Sequence, residues 1–212
     1  MGRNTLIVYG GCCSIFLLVV LLVVALAAWS GVVNVPMLGS LYHAPAPAHV
    51  VKVKTVLSPN DFMDRMQDKL VLAVKQANGG PARLEVSEAE LTAGLRGLLK
   101  DPAAPSALHD IDSAQIAFTS DALELYAHWR KSIFRLDILM RFRFVLRQGF
   151  LVLEPDTIRL NNLPLSQDQV KKLLVALGLD PASWQWNFSG IQLQSVGLAG
   201  GQVVVTLVPT QP

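Results

Sequence analysis

From Phe134 to Leu146 every second residue is apolar: Phe134, Leu136, Ile138, Met140, Phe142, Phe144 and Leu146 share one side of an extended chain. Arg135, Asp137, Arg141, Arg143 and Arg147 share the other. A period of two predicts a half-buried strand over Ile133–Arg147, about 50 Å long at about 3.3 Å per residue and well beyond the common length of about 5–6 residues. A sheet built on such a strand twists and is expected to curl around whatever covers its apolar side.

Elsewhere the period is helical. Ser58 and Pro59 open a helix that carries Phe62, Met66, Leu70, Ala73, Val74 and Ala77 on one stripe and stops at Asn78-Gly79-Gly80. The capping box Ser87-Glu88-Ala89-Glu90 opens a second, with Leu91, Leu95, Leu98 and Leu99 at helical spacing before Asp101-Pro102. Gly94 and Gly97 weaken that helix in isolation, so packing must hold it. A third is expected from Ser166 to Gly178. Period-two stretches recur at Ile111–Arg130, around a turn at Thr119-Ser120-Asp121, in FLVLE and TIRL after Gln148-Gly149, and in a final hairpin through Gly200-Gly201. The expected class is α+β: a long, strongly curved antiparallel sheet wrapped around one or two amphipathic helices.

One segment has neither period. Leu6–Trp29 is apolar or small throughout, and no Asp, Glu, Lys or Arg occurs between Arg3 and Lys52. A run of this length exceeds the ~20 residues a membrane-crossing helix needs, with Tyr9 and Trp29 placed for the two interfaces. A cleaved signal peptide ending near Ala27 is the competing reading, although its apolar region is ordinarily about 7–15 residues. The expected organisation is an anchor over residues 1–33, a Pro/Ala-rich linker over 34–50 and an extracytoplasmic domain over 51–212. The anchor makes the chain a single-pass cell-membrane protein with its N-terminus cytoplasmic. Cys12 and Cys13 both fall in the anchor, so the domain has no disulfide or thiolate metal site.

Net charge is +2 over 212 residues, too close to neutral to point to nucleic acid. No G-x-S-x-G, H-E-x-x-H or glycine-rich phosphate loop occurs, and no metal or cofactor is implied. His109, Asp110 and Asp112 read as a hydrogen-bonded turn rather than a catalytic pair, so the chain is not expected to be an enzyme. Arg141, Arg143 and Arg147 are either a solvated face paired with Glu124, Glu154 or Asp156, or a patch for anionic lipid headgroups.

The order of anchor, SEAELTAGLRGLL helix, paired strands, GFLVLEPDTIRLNNLPLSQDQVKKLLVALG and a closing WNFSGIQLQSV…VVVTL hairpin resembles the YpmS-like single-anchor bacterial envelope proteins. It is more distantly similar to the LmeA-like relatives of tubular (BPI-like) lipid-binding proteins. The resemblance covers most of the chain after Pro81, with Asn161-Asn162 where a glycine is commoner and no counterpart for the Phe62–Ala77 helix. It implies a helix held by a curved sheet, binding of acyl chains and no enzymatic activity. The expected function is therefore carriage, presentation or sensing of a lipid or other long apolar ligand at the membrane. Leu91, Leu95, Leu98, Trp129, Leu136, Ile138, Met140, Phe142 and Phe144 are the candidate lining. The alternative is a non-enzymatic scaffold or accessory subunit that meets an envelope protein partner through the arginine face or a sheet edge.

Overall fold

The computed structural model describes residues 19–27, 29–31, 42, 44–104, 108–132, 134–147, 150–166, 168–170, 172, 185–186 and 191–209. The elements described end to end are α1 (Pro59–Ala77), β1 (Ala82–Ser87), α2 (Glu88–Lys100), β2 (Ile111–Phe118), β3 (Leu123–Lys131), β4 (Phe134–Arg147), β5 (Phe150–Leu160), β6 (Leu163–Leu165), β7 (Gln185–Trp186), β8 (Ile191–Ala199) and β9 (Gln202–Pro209). Residues 19–27, 29 and 30, inside the apolar run, are helical. The rest of Leu6–Trp29 lies outside the described residues, and among these no helix is long and apolar enough to cross a membrane. Of the third expected helix, positions 168–170 and 172 are described and are helical.

The class is α+β with antiparallel sheets, but the strands divide between two. One has the order β2-β3-β4-β5-β6 with β7 on β5, the other the order β1-β9-β8. The expected strong curvature is corrected here: the sheets are not strongly curled. The physical reason lies in how the apolar area is covered. Phe118, Leu123, Met140, Phe142, Leu151 and Ile158 of the large sheet share one core cluster with Val86, Val203, Val205, Leu207 and Leu193 of the small one. A long strand covered by a second sheet and by helices has no need to wrap around a single helix.

Bulges keep this core in phase. In β5 the apolar residues run Leu151, Leu153, then Ile158, Leu160, a change of parity at Pro155-Asp156. The register moves from Phe142↔Pro155 to Arg141↔Thr157, skipping Asp156. The extra residue returns Ile158 to the buried face, where it is 0% exposed, and it sits where Pro155 could not donate to the ladder anyway. FLVLE and TIRL are thus one strand, not two. A register shift between Leu193 and Ser195 does the same for Leu193, Val196 and Leu198 in β8.

Both helices begin as their caps dictate. The Ser58 hydroxyl accepts from Asp61 N–H, and Ser87 and Glu90 form the reciprocal capping box. The two glycines of α2 are explained by contact. A Cβ on Gly97 would lie 1.6 Å from the Leu57 carbonyl oxygen, and one on Gly94 would lie 2.6 Å from the Phe62 ring. The start of α1 is seated directly on α2, with Leu57 N–H donating to Ala93 O at 3.3 Å.

Candidate functional site

A cavity of about 470 Å³ opens beside β4. Phe62 and Met66 of α1 and Leu91 of α2 form one wall. Ile116, Leu123, Leu125, Phe142, Phe144, Leu151 and Leu153 of the large sheet form the second, and Val86, Val203 and Val205 of the small sheet the third. All thirteen residues are apolar. The register brings the second wall together: Leu123 faces Phe142 across β3–β4, and Phe144 faces Leu153 across β4–β5.

Of the nine candidate lining residues, Leu91, Phe142 and Phe144 line this cavity. Met140 is buried in the core cluster and Ile138 packs against it, neither on the cavity wall. Leu98 is 45% exposed. Leu95, Trp129 and Leu136 are half-buried away from the wall, with Trp129 and Leu136 paired near the β3–β4 turn. The α1 wall and the small-sheet wall were missed as lining. Leu123 and Leu125 join the apolar row of β4 already in the sequence, counting forward from the hairpin turn at Thr119-Ser120-Asp121. Nothing in the sequence signals that Val203 and Val205 of the last strand face the same space.

The arginine face is paired. Arg141 meets Asp121 at 2.6 Å, Arg143 meets Asp156 at 2.7 Å, and Arg147 bonds to Glu154. Arg141 holds the Asp121 carboxyl below the usual carboxylate range. An anionic headgroup would have to compete with a carboxylate already in place at each of the three. The His109 cluster is a turn: His109 Nε2 lies 3.2 Å from Asp101 O, and Asp110 pairs with Lys131 at 2.9 Å.

The polar side of the sheet holds a second arrangement that period-two reading does not reveal. Asp137 is only 3% exposed. Its carboxylate accepts from the Tyr42 hydroxyl, from the Tyr126 hydroxyl at 2.9 Å, and from His128 Nδ1 at 2.6 Å. Its N–H donates to Asn161 Oδ1 at 2.6 Å, and Asn161 N–H donates back to Asp137 O at 2.7 Å. Burial pushes the Asp137 pKa up, but the bonds from Tyr42, His128 and Tyr126 outweigh it and leave the carboxyl below its ordinary value. Burial, and then the bond to Asp137, push Tyr126 up to about 12 and Tyr42 higher still. Both phenols therefore stay protonated donors at neutral pH. His128 and Asp137 are cross-strand partners in the β3–β4 ladder, so the hairpin register was the available signal. Tyr42, in the expected linker, had none.

Other described residues that precede α1 are likewise bonded to the strands and to α2. Arg135 stacks 4.5 Å over the Tyr42 ring and donates to Gly31 O, and Asn162 donates to Trp29 O at 2.6 Å. Gln115 donates to His49 O and accepts from Val51 N–H, Ala48 N–H donates to Glu124, and His49 bonds to Glu88 at 2.8 Å. Next to this strap, α2 closes the outer edge of β2. Thr92 bonds both ways with the Ile116 backbone, Arg96 donates to Ala114 O, and Glu88 accepts from Phe118 N–H. That edge is therefore not open for strand pairing.

Among the described residues no group of three or more His, Cys, Asp or Glu could hold a metal ion. No protein-family model, no curated protein and no solved structure matches this chain.

Proposed function

We propose that this is a membrane-anchored extracytoplasmic protein that binds a lipid or another long apolar molecule between α1, α2 and the two sheets, and that it is not an enzyme. Residues 1–33 are its single-pass anchor, with the N-terminus in the cytoplasm. The observation that carries the reading is the 470 Å³ cavity with no polar side chain among its thirteen lining residues. That volume lies within the range of about 300–1,000 Å³ usual for small-molecule sites. Uniformly apolar walls select hydrocarbon and offer nothing to orient a polar substrate or to move a proton. The anchor rests on the unbroken apolar run Leu6–Trp29.

Each methylene buried contributes about 0.8 kcal/mol, so ten of them give about 8 kcal/mol before the costs of association. Micromolar dissociation constants are on the order of the tightest such binding. The test uses the full chain in amphipol. Native mass spectrometry should show a co-purified lipid, or an anthroyloxy-labelled fatty acid should bind saturably, and Phe144→Asp should abolish the uptake. Saturable binding that Phe144→Asp leaves intact would place the ligand elsewhere, and no uptake by the parent chain would end the reading.

A further inference from the structure

α1 has nineteen residues and an apolar stripe of six, yet Ala73 is its one buried residue. Phe62 and Met66 look into the cavity, while Met63 is 64% and Leu72 56% exposed on the outside. By contrast α2, with thirteen residues, buries Thr92, Ala93, Gly94 and Gly97. The two ends of α1 are built differently. Its start is pinned by the Leu57 backbone against Gly97 and by the bond to Ala93 O. Its end runs into Asn78 and Gly79, both left-handed with φ of 46° and 85°, and then Gly80. A Cβ on Gly79 would meet nothing within 4 Å. Among the described residues, Lys69 is the one side chain of α1 that bonds to another element, to Glu90 at 2.6 Å and to Glu85 O at 3.0 Å.

We infer that α1 is the movable wall of the cavity: it pivots at its pinned Leu57–Phe62 end, yields at Asn78-Gly79-Gly80, and is held shut by Lys69 on Glu90 and β1. This rests on the ligand reading above and adds how the ligand enters. Helix α1 lifts from Leu91 and Val86, and the hydrocarbon passes beneath Met66 without disturbing either sheet. A segment with few buried contacts opens at lower free energy than well-buried strands.

Two measurements on the full chain in amphipol test this. Hydrogen exchange should be markedly faster at the α1 amides than at those of α2. Stopped-flow uptake of an anthroyloxy-labelled fatty acid should quicken about threefold in Lys69→Ala, the scale of one partly exposed ion pair. Protection of α1 equal to that of α2, or an uptake rate indifferent to Lys69→Ala, overturns the gate while leaving the cavity as a binding site. Failure of the parent chain to bind the probe at equilibrium overturns both.

Discussion

Replacing Asp137 by Asn tests how far the polar face of β4 holds the chain together. The side chain is 3% exposed and accepts from three donors, Tyr42, Tyr126 and His128. A hydrogen bond to a charged group contributes about 1.5–3 kcal/mol net. In Asp137→Asn one oxygen can still accept from Tyr126 and His128, now uncharged, while the amide nitrogen faces the Tyr42 hydroxyl, which can no longer donate to it and keeps only the longer bond to Asn161 Oδ1 at 3.1 Å. The expected loss is about 3 kcal/mol, the size of one charged bond plus the weakening of two. Tyr42→Phe should cost about 2 kcal/mol by the same reasoning. The double variant should fall short of the sum by about 1–2 kcal/mol because both changes remove the same bond. Urea unfolding followed by tryptophan fluorescence gives these values. The pH dependence fixes their origin. The folded pKa of Asp137 is depressed, so its stabilisation is complete above the unfolded value of about 3.9 and is lost as pH falls toward the folded value. The gap between parent and Asp137→Asn should therefore be constant near neutrality and narrow below about pH 4. A variant within 0.5 kcal/mol of the parent at pH 7, about the scatter of ordinary surface substitutions, would refute the reasoning.

Other changes probe the remaining contacts. Gly97→Ala places a methyl 1.6 Å from the Leu57 carbonyl oxygen and should destabilise by about 3 kcal/mol, although alanine is the better helix former; thermal unfolding of the pair checks it. Thr92→Val removes the hydroxyl that serves both Ile116 N–H and Ile116 O and should cost about 2 kcal/mol, with faster hydrogen exchange at Ile116. Arg143→Ala breaks an ion pair with Asp156 in which the arginine side chain is 57% exposed and should cost less than about 1 kcal/mol. Binding of the domain to anionic vesicles, compared between Arg143→Ala and the parent, shows whether that arginine serves a headgroup.

Local rules carried far along this chain. Both helix starts were written in their caps, because Ser58 and Ser87 satisfy backbone donors within three residues of themselves. The β2–β3 turn at Thr119-Ser120-Asp121, the β4 strand and the hairpin through Gly200-Gly201 followed from alternation and turn chemistry. The phase change at Pro155-Asp156 is visible as a break between FLVLE and TIRL, but a single sequence does not separate a bulge from a strand end. Alternation also sorted Asp137 with the solvated face. Its burial depends on Tyr42, ninety-five residues away in a stretch whose prolines suggested a spacer. The division into two sheets was illegible for the same reason: pairing β1 with β9 joins Ala82 to Leu207, a partnership that no local pattern encodes.

The size of the side chains shows how the apolar groove is left between the elements. Much of what α2, β2, β3 and the β2–β3 turn bury is small: Ala93, Ala114, Ala117, Ala122, Ala127 and Thr92. The bulky side chains Phe62, Met66, Leu91 and Phe144 instead stand half-buried around the groove. The space is a groove open to solvent and not a sealed void, so water enters it freely and what it costs the fold is the apolar wall left exposed along it. A hydrocarbon laid in the groove would cover that wall, which is the gain in the proposed binding.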